Sequence, residues 1–207
     1  MKYSIKEAVK KLIEAKREKF DATVEMHINL NTDPKKQDQQ IRFTTILPAG
    51  TGKSKKVAVM ASEKVPNADL ELTENDIKKI EDGNLKIGRD FDLIVTEPQF
   101  MAKLAKAARI LGPAGVMPNP KTGTVTDNVE KAVEQIKKGK IEVKTEQNHP
   151  IIHTIVGKTT FKDADLEKNI NELVSVLKQH KPSKIKGEFI KSAFISSSMG
   201  PSFKLEV

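Results

Sequence analysis

Two hydropathy rhythms run through this chain, one nested inside the other, and the nesting limits the fold more than any other feature. From residue 22 to 30, ATVEMHINL, the period is two: Val24, Met26, Ile28 and Leu30 share one face of a strand, and Thr23, Glu25, His27 and Asn29 share the other. Before it, Ser4 and Glu7 form a capping box, and Ile5, Ala8, Val9, Leu12 and Ile13 recur at helical spacing as far as Lys16. A turn-rich stretch at 31–36 separates the strand from a second one at 41–47. Then the rhythm changes. Short apolar strands, VAVMA at 57–61 and DLIVTE at 92–97, alternate with helices predicted at 74–81, 98–111 and 128–138, which implies parallel strands joined by right-handed crossovers. After residue 140 the antiparallel rhythm returns: KIEVKTE, IIHTIV, a helix at 163–180, EFIKSAFISSS and FKLEV.

The fold class expected is therefore mixed, α+β and α/β, in two domains. Residues 1–50 and 140–207 form one discontinuous α+β domain, and 51–139 form an inserted Rossmann-like three-layer α/β domain. Gly50, Gly52 and Gly139 stand at the two crossings, where a hinge is expected.

One crossing contains Gly50-Thr51-Gly52-Lys53-Ser54, which resembles the end of a phosphate-binding loop. That loop needs a glycine five positions before Gly52, where Leu47 stands, and a helix starting at the lysine so that its dipole faces the phosphates. Residues 55–61 instead read as the entry to a buried strand, so the stretch is a crossover between strands.

With 36 Lys and Arg against 28 Asp and Glu, the net charge is +8 and the long-range field attracts polyanions. Aromatics are 4%, too few for rows of stacked single-stranded bases, so a folded RNA read by shape and backbone fits better. The absence of cysteine removes disulfides, thiolate catalysis and Cys-based zinc sites, and fits a reducing compartment. There is no apolar run long enough to span a bilayer, and the charged MKYSIKEAVKK start does not read as a secretory signal; a soluble, cytosolic chain is expected.

Residues 111–126, LGPAGVMPNPKTGTVT, pack Gly112, Pro113, Gly115, Pro118, Pro120 and Gly123 into one loop, which suggests a shaped, rigid excursion. This run closely resembles the signature of the ribosomal protein L-one family, in its bacterial form. KFDATVEMHINL (19–30), DQQIRFTTILPAGTGK (38–53), the IIH and VGK of 151–158, and SSSMGPS (196–202) are similar to that family in the same order, over nearly the whole chain. The resemblance implies a protein of the mobile side stalk of the large ribosomal subunit. Its discontinuous domain binds large-subunit ribosomal RNA, its inserted domain sits on a two-stranded hinge, and it takes part in release of deacylated tRNA from the exit site. Bacterial members also repress translation by binding their own mRNA. No cofactor or metal is implied, and the free protein is expected to be a monomer without catalytic activity.

Carried over residue by residue, the resemblance assigns RNA contact to Lys19, Phe20, Thr23, Glu25, Lys158, Ser192, Ser196, Ser197, Ser198, Met199 and Gly200. The chemistry of these residues agrees in part. Hydroxyls at Thr23, Ser192, Ser196 and Ser198 can donate to and accept from ribose 2′-OH groups, Lys19 and Lys158 can meet phosphates, and Gly200 lets backbone approach closely. Glu25 fits beside a polyanion only as an acceptor from base amino groups or ribose hydroxyls, oriented by a neighbouring lysine. The chain departs from the family where it has Ala114 for Arg, Phe43 for Gly, Ala49 for His, and Ala22 for an acidic residue; Ala22 is read as removing a polar contact beside Thr23. It begins near its first helix, without the extension many bacterial members carry. The basic stretch at 178–191 either tracks phosphates or is a solvated loop.

Catalytic sets do not emerge. His27, His149, His153 and His180 lack metal-site spacing, Asp163 and Asp165 read as a helix start, and Asp90 and Asp92 share a side of a short strand without an acid/base partner. The rival classes are a nucleotide-dependent α/β enzyme and a DNA-binding regulator.

Overall fold

The computed structural model describes the chain apart from residues 1, 17, 35, 37, 38, 184 and 186, and apart from the side chains of Glu74 and Glu81. In chain order the elements are α1 (Ile5–Glu14), β1 (Thr23–Leu30), β2 (Arg42–Ile46), β3 (Val57–Met60), β4 (Leu70–Glu71), α2 (Glu74–Glu81), β5 (Leu93–Thr96), α3 (Met101–Leu104), α4 (Ala108–Leu111), α5 (Val129–Lys137), β6 (Lys140–Lys144), β7 (Ile151–Lys158), α6 (Asp163–Gln179), β8 (Ile190–Ser197) and β9 (Ser202–Leu205). They fall into two compact units, Met1–Lys53 with Gly139–Val207, and Ser54–Lys138. Thr51, Gly52, Lys53 and Gly139 thus pack with the first unit rather than with the insertion.

In the first unit, α1 starts where its capping box predicts. Ser4 Oγ accepts from the Glu7 amide at 3.3 Å, and the Ser4 amide donates to Glu7 Oε2 at 3.2 Å. The sheet is four-stranded in the order β7-β1-β8-β9, with every pair antiparallel. Strict alternation along β1 sends Val24, Met26, Ile28 and Leu30 into a core shared with Leu12 of α1 and with Leu166, Ile170, Leu173 and Leu177 of α6. Each such side chain contributes about 1.5–3 kcal/mol by leaving water. The opposite face carries Thr23, Glu25, His27 and Asn29, none of them buried. A separate antiparallel pair, β2 with β6, carries the outgoing and returning chain side by side, with Ile46 opposite Lys140.

In the second unit β4, β3 and β5 pair in parallel, β3 in the middle. All four residues of β3 are buried. Val57 and Val59 pack with Val129, Val133 and Ile136 of α5, while Ala58 and Met60 pack with Ile77, Ile80, Leu104 and Leu111, so helices cover both faces. The helix expected at 98–111 is broken: 3₁₀ turns at Pro98–Phe100 and Ala105–Ala107 alternate with α3 and α4. A 3₁₀ turn stacks residues three apart, which keeps Leu104 and Ala107 on one buried side. The excursion at 111–126 is internally tied, because the Asn119 amide donates to Thr124 Oγ1 at 2.8 Å and Thr122 Oγ1 donates to the Asn119 carbonyl at 2.9 Å.

No helix begins at Lys53 among the described residues; the chain runs on into β3, and the phosphate-loop geometry is not formed. Nor do Asp90 and Asp92 lie on a strand. Asp90 Oδ2 accepts from the Lys86 amide and Asp92 Oδ2 from the Lys56 amide, so both carboxylates fasten loops.

Candidate nucleic-acid interface

The central strand of the first sheet comes from the start of the chain and its two neighbours from the end, so residues far apart in sequence meet along one edge. Thr23 opens β1 opposite Lys158, the last residue of β7. Strict alternation would turn Lys158 toward the core, since Ile155 is exposed and Val156 is buried. A bulge in the pairing between Val24 and Glu25 shifts the parity by one, and Lys158 emerges beside Thr23. Its Nζ donates to Thr23 Oγ1 at 3.0 Å and to the Asp21 carbonyl at 3.2 Å. Both partners are neutral oxygens, so the ammonium keeps its charge for an anion. The Gly52 backbone, at φ +75, runs close by: a Cβ on Gly52 would meet Lys158 Cγ at 2.6 Å.

From the other side β8 brings Ser196 opposite Glu25 and Ser197 opposite Val24, and the Ser198 amide donates to the Thr23 carbonyl at 2.9 Å. The chain then reverses, with the Gly200 amide donating to the Ser197 carbonyl at 2.9 Å. A Cβ on Gly200 would overlap Ser197 Oγ, so a side chain here would force that hydroxyl to turn away from Glu18. Met199 sits at its apex with φ 69, an unfavourable region for a side chain with a Cβ, and is 92% exposed. Lys19 and Phe20, both exposed, precede Thr23 by a few residues; Phe20 is 54% exposed.

Thr23, Glu25, Lys158, Ser196, Ser198, Met199 and Gly200 therefore share one end of the sheet. Ser197 does not present its hydroxyl: it is buried, and Oγ donates to Glu18 Oε1 at 3.2 Å, so it fastens the segment before β1 to the turn. Ser192 lies opposite Asn29, six residues further along β1 and about 20 Å from Thr23, and its Oγ accepts from Asn29 Nδ2 at 2.9 Å. Lys158 is engaged with Thr23 and Asp21 rather than with Glu25. Ala22 is fully buried, so its departure from the family pattern removes no surface contact. Phe43 fills the core and stacks on His180, with ring centroids 4.6 Å apart. Ala114 is exposed in the second unit. Of the basic stretch at 178–191, Lys184 and Lys186 lie outside the described residues, and Lys178, Lys181 and Lys191 line a cleft with Lys2 and Glu188.

Sequence spacing missed two features. Asn169, buried on the otherwise apolar stripe of α6, accepts from the Ala49 amide at 3.0 Å and donates to the carbonyls of Gly50 at 3.0 Å and Val156 at 2.7 Å. It ties the outgoing crossing to β7, and its polarity within the run Leu166, Ile170, Leu173 was the available signal. At the returning crossing, Gly139 has φ +99, and a Cβ there would meet the Gly50 Cα at 2.7 Å. The second omission is a histidine pair. His27 and His153 face each other across β1 and β7, Nδ1 to Nδ1 at 2.7 Å. Burial first, and then His153, hold the His27 imidazole below its ordinary value, while Glu25 acts in the opposite sense. No group of three or more acidic or imidazole side chains suited to a metal is found among the described residues.

Residues 9–201 match the model of the Ribosomal protein L1p/L10e family. The chain belongs to this family. It is 46% identical to the "Large ribosomal subunit protein uL1" of Mesoplasma florum, over 99% of this chain and 91% of that one. The proteins of the same name from Phytoplasma australiense and Lactobacillus acidophilus are 45% and 41% identical, again over 99% of this chain and over 90% and 89% of theirs. Membership of the L1p/L10e family makes it a structural, ribosome-associated protein of the cytoplasm and not an enzyme.

Proposed function

We propose that this L1p/L10e family member is a large-subunit ribosomal protein that grips folded ribosomal RNA of the side stalk through the end of its first sheet. The observation that carries this reading is the meeting of Thr23, Lys158, Ser198, Met199 and Gly200, from opposite ends of the chain, on one surface that holds Met199 outward. Supporting it are the net charge of +8 and relatives whose name places them in the large ribosomal subunit. Thr23, Ser196 and Ser198 hydroxyls meet 2′-OH groups in a shallow minor groove, Lys158 and Lys19 meet phosphates, and Met199 packs on the ribose or base surface between them. Glu25 accepts from ribose hydroxyls or base amino groups.

The same surface binds a similarly folded stretch of the protein's own mRNA and so represses translation. Residues 1–50 and 140–207 act as the RNA-binding domain. Gly50, Gly52 and Gly139, whose positive φ values favour glycine, serve as the hinge about which the inserted domain moves during release of tRNA from the exit site.

A filter-binding titration against a side-stalk ribosomal RNA fragment tests the interface. Met199→Glu and Ser198→Asp are expected to abolish tight binding, because each puts a carboxylate where phosphates approach; unchanged affinity would remove the site. Several phosphate contacts also release counterions, so affinity should fall by at least about tenfold between roughly 50 and 200 mM salt. A flat response would argue against a backbone grip.

A further inference from the structure

The exposed face of the first sheet continues from Thr23 toward Asn29. Pairing registers align His153, His27, Phe194 and Lys204 in one row across β7, β1, β8 and β9, and Ile155, Glu25, Ser196 and Ser202 in the row nearer Thr23. Within the first row His27 Nδ1 lies 2.7 Å from His153 Nδ1, and one contact joins the two rows, His27 Nε2 to Ser196 Oγ at 3.1 Å. On the outer side His153 Nε2 is 3.8 Å from Glu146 Oε2. His153, His27 and Ser196 thus form a hydrogen-bonded relay running from the edge of the sheet into the candidate interface, and the Glu146 carboxylate acts on its outer end by charge rather than by a hydrogen bond.

Two facing Nδ1 atoms at 2.7 Å share one hydrogen, and this couples every hydrogen along the relay. When the pair is neutral, the Glu146 carboxylate favours a hydrogen on His153 Nε2. His153 Nδ1 is then bare and accepts from His27 Nδ1–H, which leaves His27 Nε2 bare to accept from the Ser196 hydroxyl. When the pair gains one proton, His153 carries hydrogens on both nitrogens beside Glu146 and donates through Nδ1 to His27. The hydrogen of His27 then resides on Nε2 and donates to Ser196 Oγ. One proton enters at His27 Nε2 as the Nδ1 hydrogen crosses to His153, so the balance closes with a single added positive charge. A second proton would set two N–H groups against each other, so it requires one ring to turn away.

We propose that His27 and His153 are a proton-sensing part of the RNA interface, which turns Ser196 from an acceptor toward RNA into a donor. In the neutral state the Ser196 hydrogen is committed to His27, and only lone pairs face outward. In the charged state that hydrogen is released to a phosphate or ribose oxygen, and an imidazolium is added to the surface. The charged and titratable groups facing the pair are Glu25 on β1, Glu146 before β7 and Lys204 on β9; from β8 only Phe194 and Ser196 face it. The two carboxylates favour the charged pair against the burial of His27, and the Lys204 ammonium lies over the Phe194 ring, 5.8 Å from its centroid.

This rests on the RNA reading, and one set of titrations separates the two. Binding of the side-stalk RNA fragment is measured at about pH 8 and about pH 5.5 for the wild type, His27→Ala and His153→Ala. The wild type is expected to tighten roughly three- to tenfold on acidification, and its salt slope to steepen by about one. Both variants are expected to lose the increment, since the relay needs both rings; His27→Ala, which frees the Ser196 hydrogen at either pH, is expected to bind at the higher pH as tightly as the wild type or more tightly. His149 and His180 remain in every variant, so a pH response that survives in His27→Ala overturns the proposal. Equal wild-type affinity at both pH values overturns the relay alone, and failure to bind at either pH overturns the RNA reading. Imidazole nitrogen resonances of the wild type give a check without substitution: His27 Nε2 should pass from bare to protonated on acidification, and a fixed tautomer sinks the mechanism.

Discussion

Strands β1 and β3 are both flanked on each side within their sheets, yet they meet the solvent differently. Along β1 every second side chain is buried, whereas along β3 all four are. The antiparallel sheet has its helices, α1 and α6, on one face and leaves the other without a helix, with Thr23, Glu25, His27 and Asn29 along β1. The parallel sheet has helices on both, because each crossover must pass over one face. The contrast separates two jobs: a sheet covered once can offer a whole face to a flat, extended partner such as an RNA groove, while a sheet covered twice can offer only its loops and strand ends.

The sharpest way to break this comparison is to place a carboxylate at successive positions of each strand. Ile28→Asp should cost more than about 4 kcal/mol and Asn29→Asp less than about 1, whereas Ala58→Asp and Val59→Asp should both cost more than about 4, read from urea midpoints of the two units. Alternation in β3, or its absence in β1, would undo the contrast. Next in size is Asn169→Leu, which strands the Ala49 amide and the Gly50 and Val156 carbonyls; a loss of about 3 kcal/mol in the first unit is expected, with the second unit's transition unmoved. Gly139→Ala should cost about 1–3 kcal/mol, since φ +99 and the nearby Gly50 Cα both reject a side chain; a neutral result would show that this crossing relaxes freely. The smallest effect belongs to the second unit in acid. Lys79 first, and then Thr73, pull the Asp76 carboxyl down to about 2. Because the folded value is depressed, this contribution is present above the ordinary 3.8 and disappears as pH falls toward 2. Asp76→Asn should flatten the acid side of the second unit's stability profile in that window and leave the first unit's profile unchanged.

The β1 alternation, the α1 capping box and the all-apolar β3 were legible because each is a local pattern with one physical reading. The broken helix at 98–111 was not, since alanine-rich sequence suits α and 3₁₀ turns alike and the choice is made by where Leu104, Ala107 and Leu111 find a core. At the candidate interface, the residue types could be read through the family likeness, but their orientation could not. Whether Lys158 points outward depends on a bulge, and whether Ser197 does depends on its place one step from Ser196 in the pleat. The His27 and His153 contact joins positions 126 residues apart, and nothing in the spacing of either strand announces it.

The chain order of the first sheet also has a temporal meaning. His27 lies 126 residues before its partner on β7 and 169 before its partner on β8, so the strand made first is flanked by strands made last. Separations of this size belong to slow-folding topologies, while the second unit's strands, all within residues 57–96, can associate during synthesis. At ordinary elongation rates Val24, Met26, Ile28 and Leu30 wait on the order of ten seconds for the last of their sheet to leave the tunnel. During that interval α1 and the Ile41, Phe43 and Leu47 side chains in and beside β2 are their local shelter, and a nascent chain stalled short of β8 would carry an unclosed apolar ribbon.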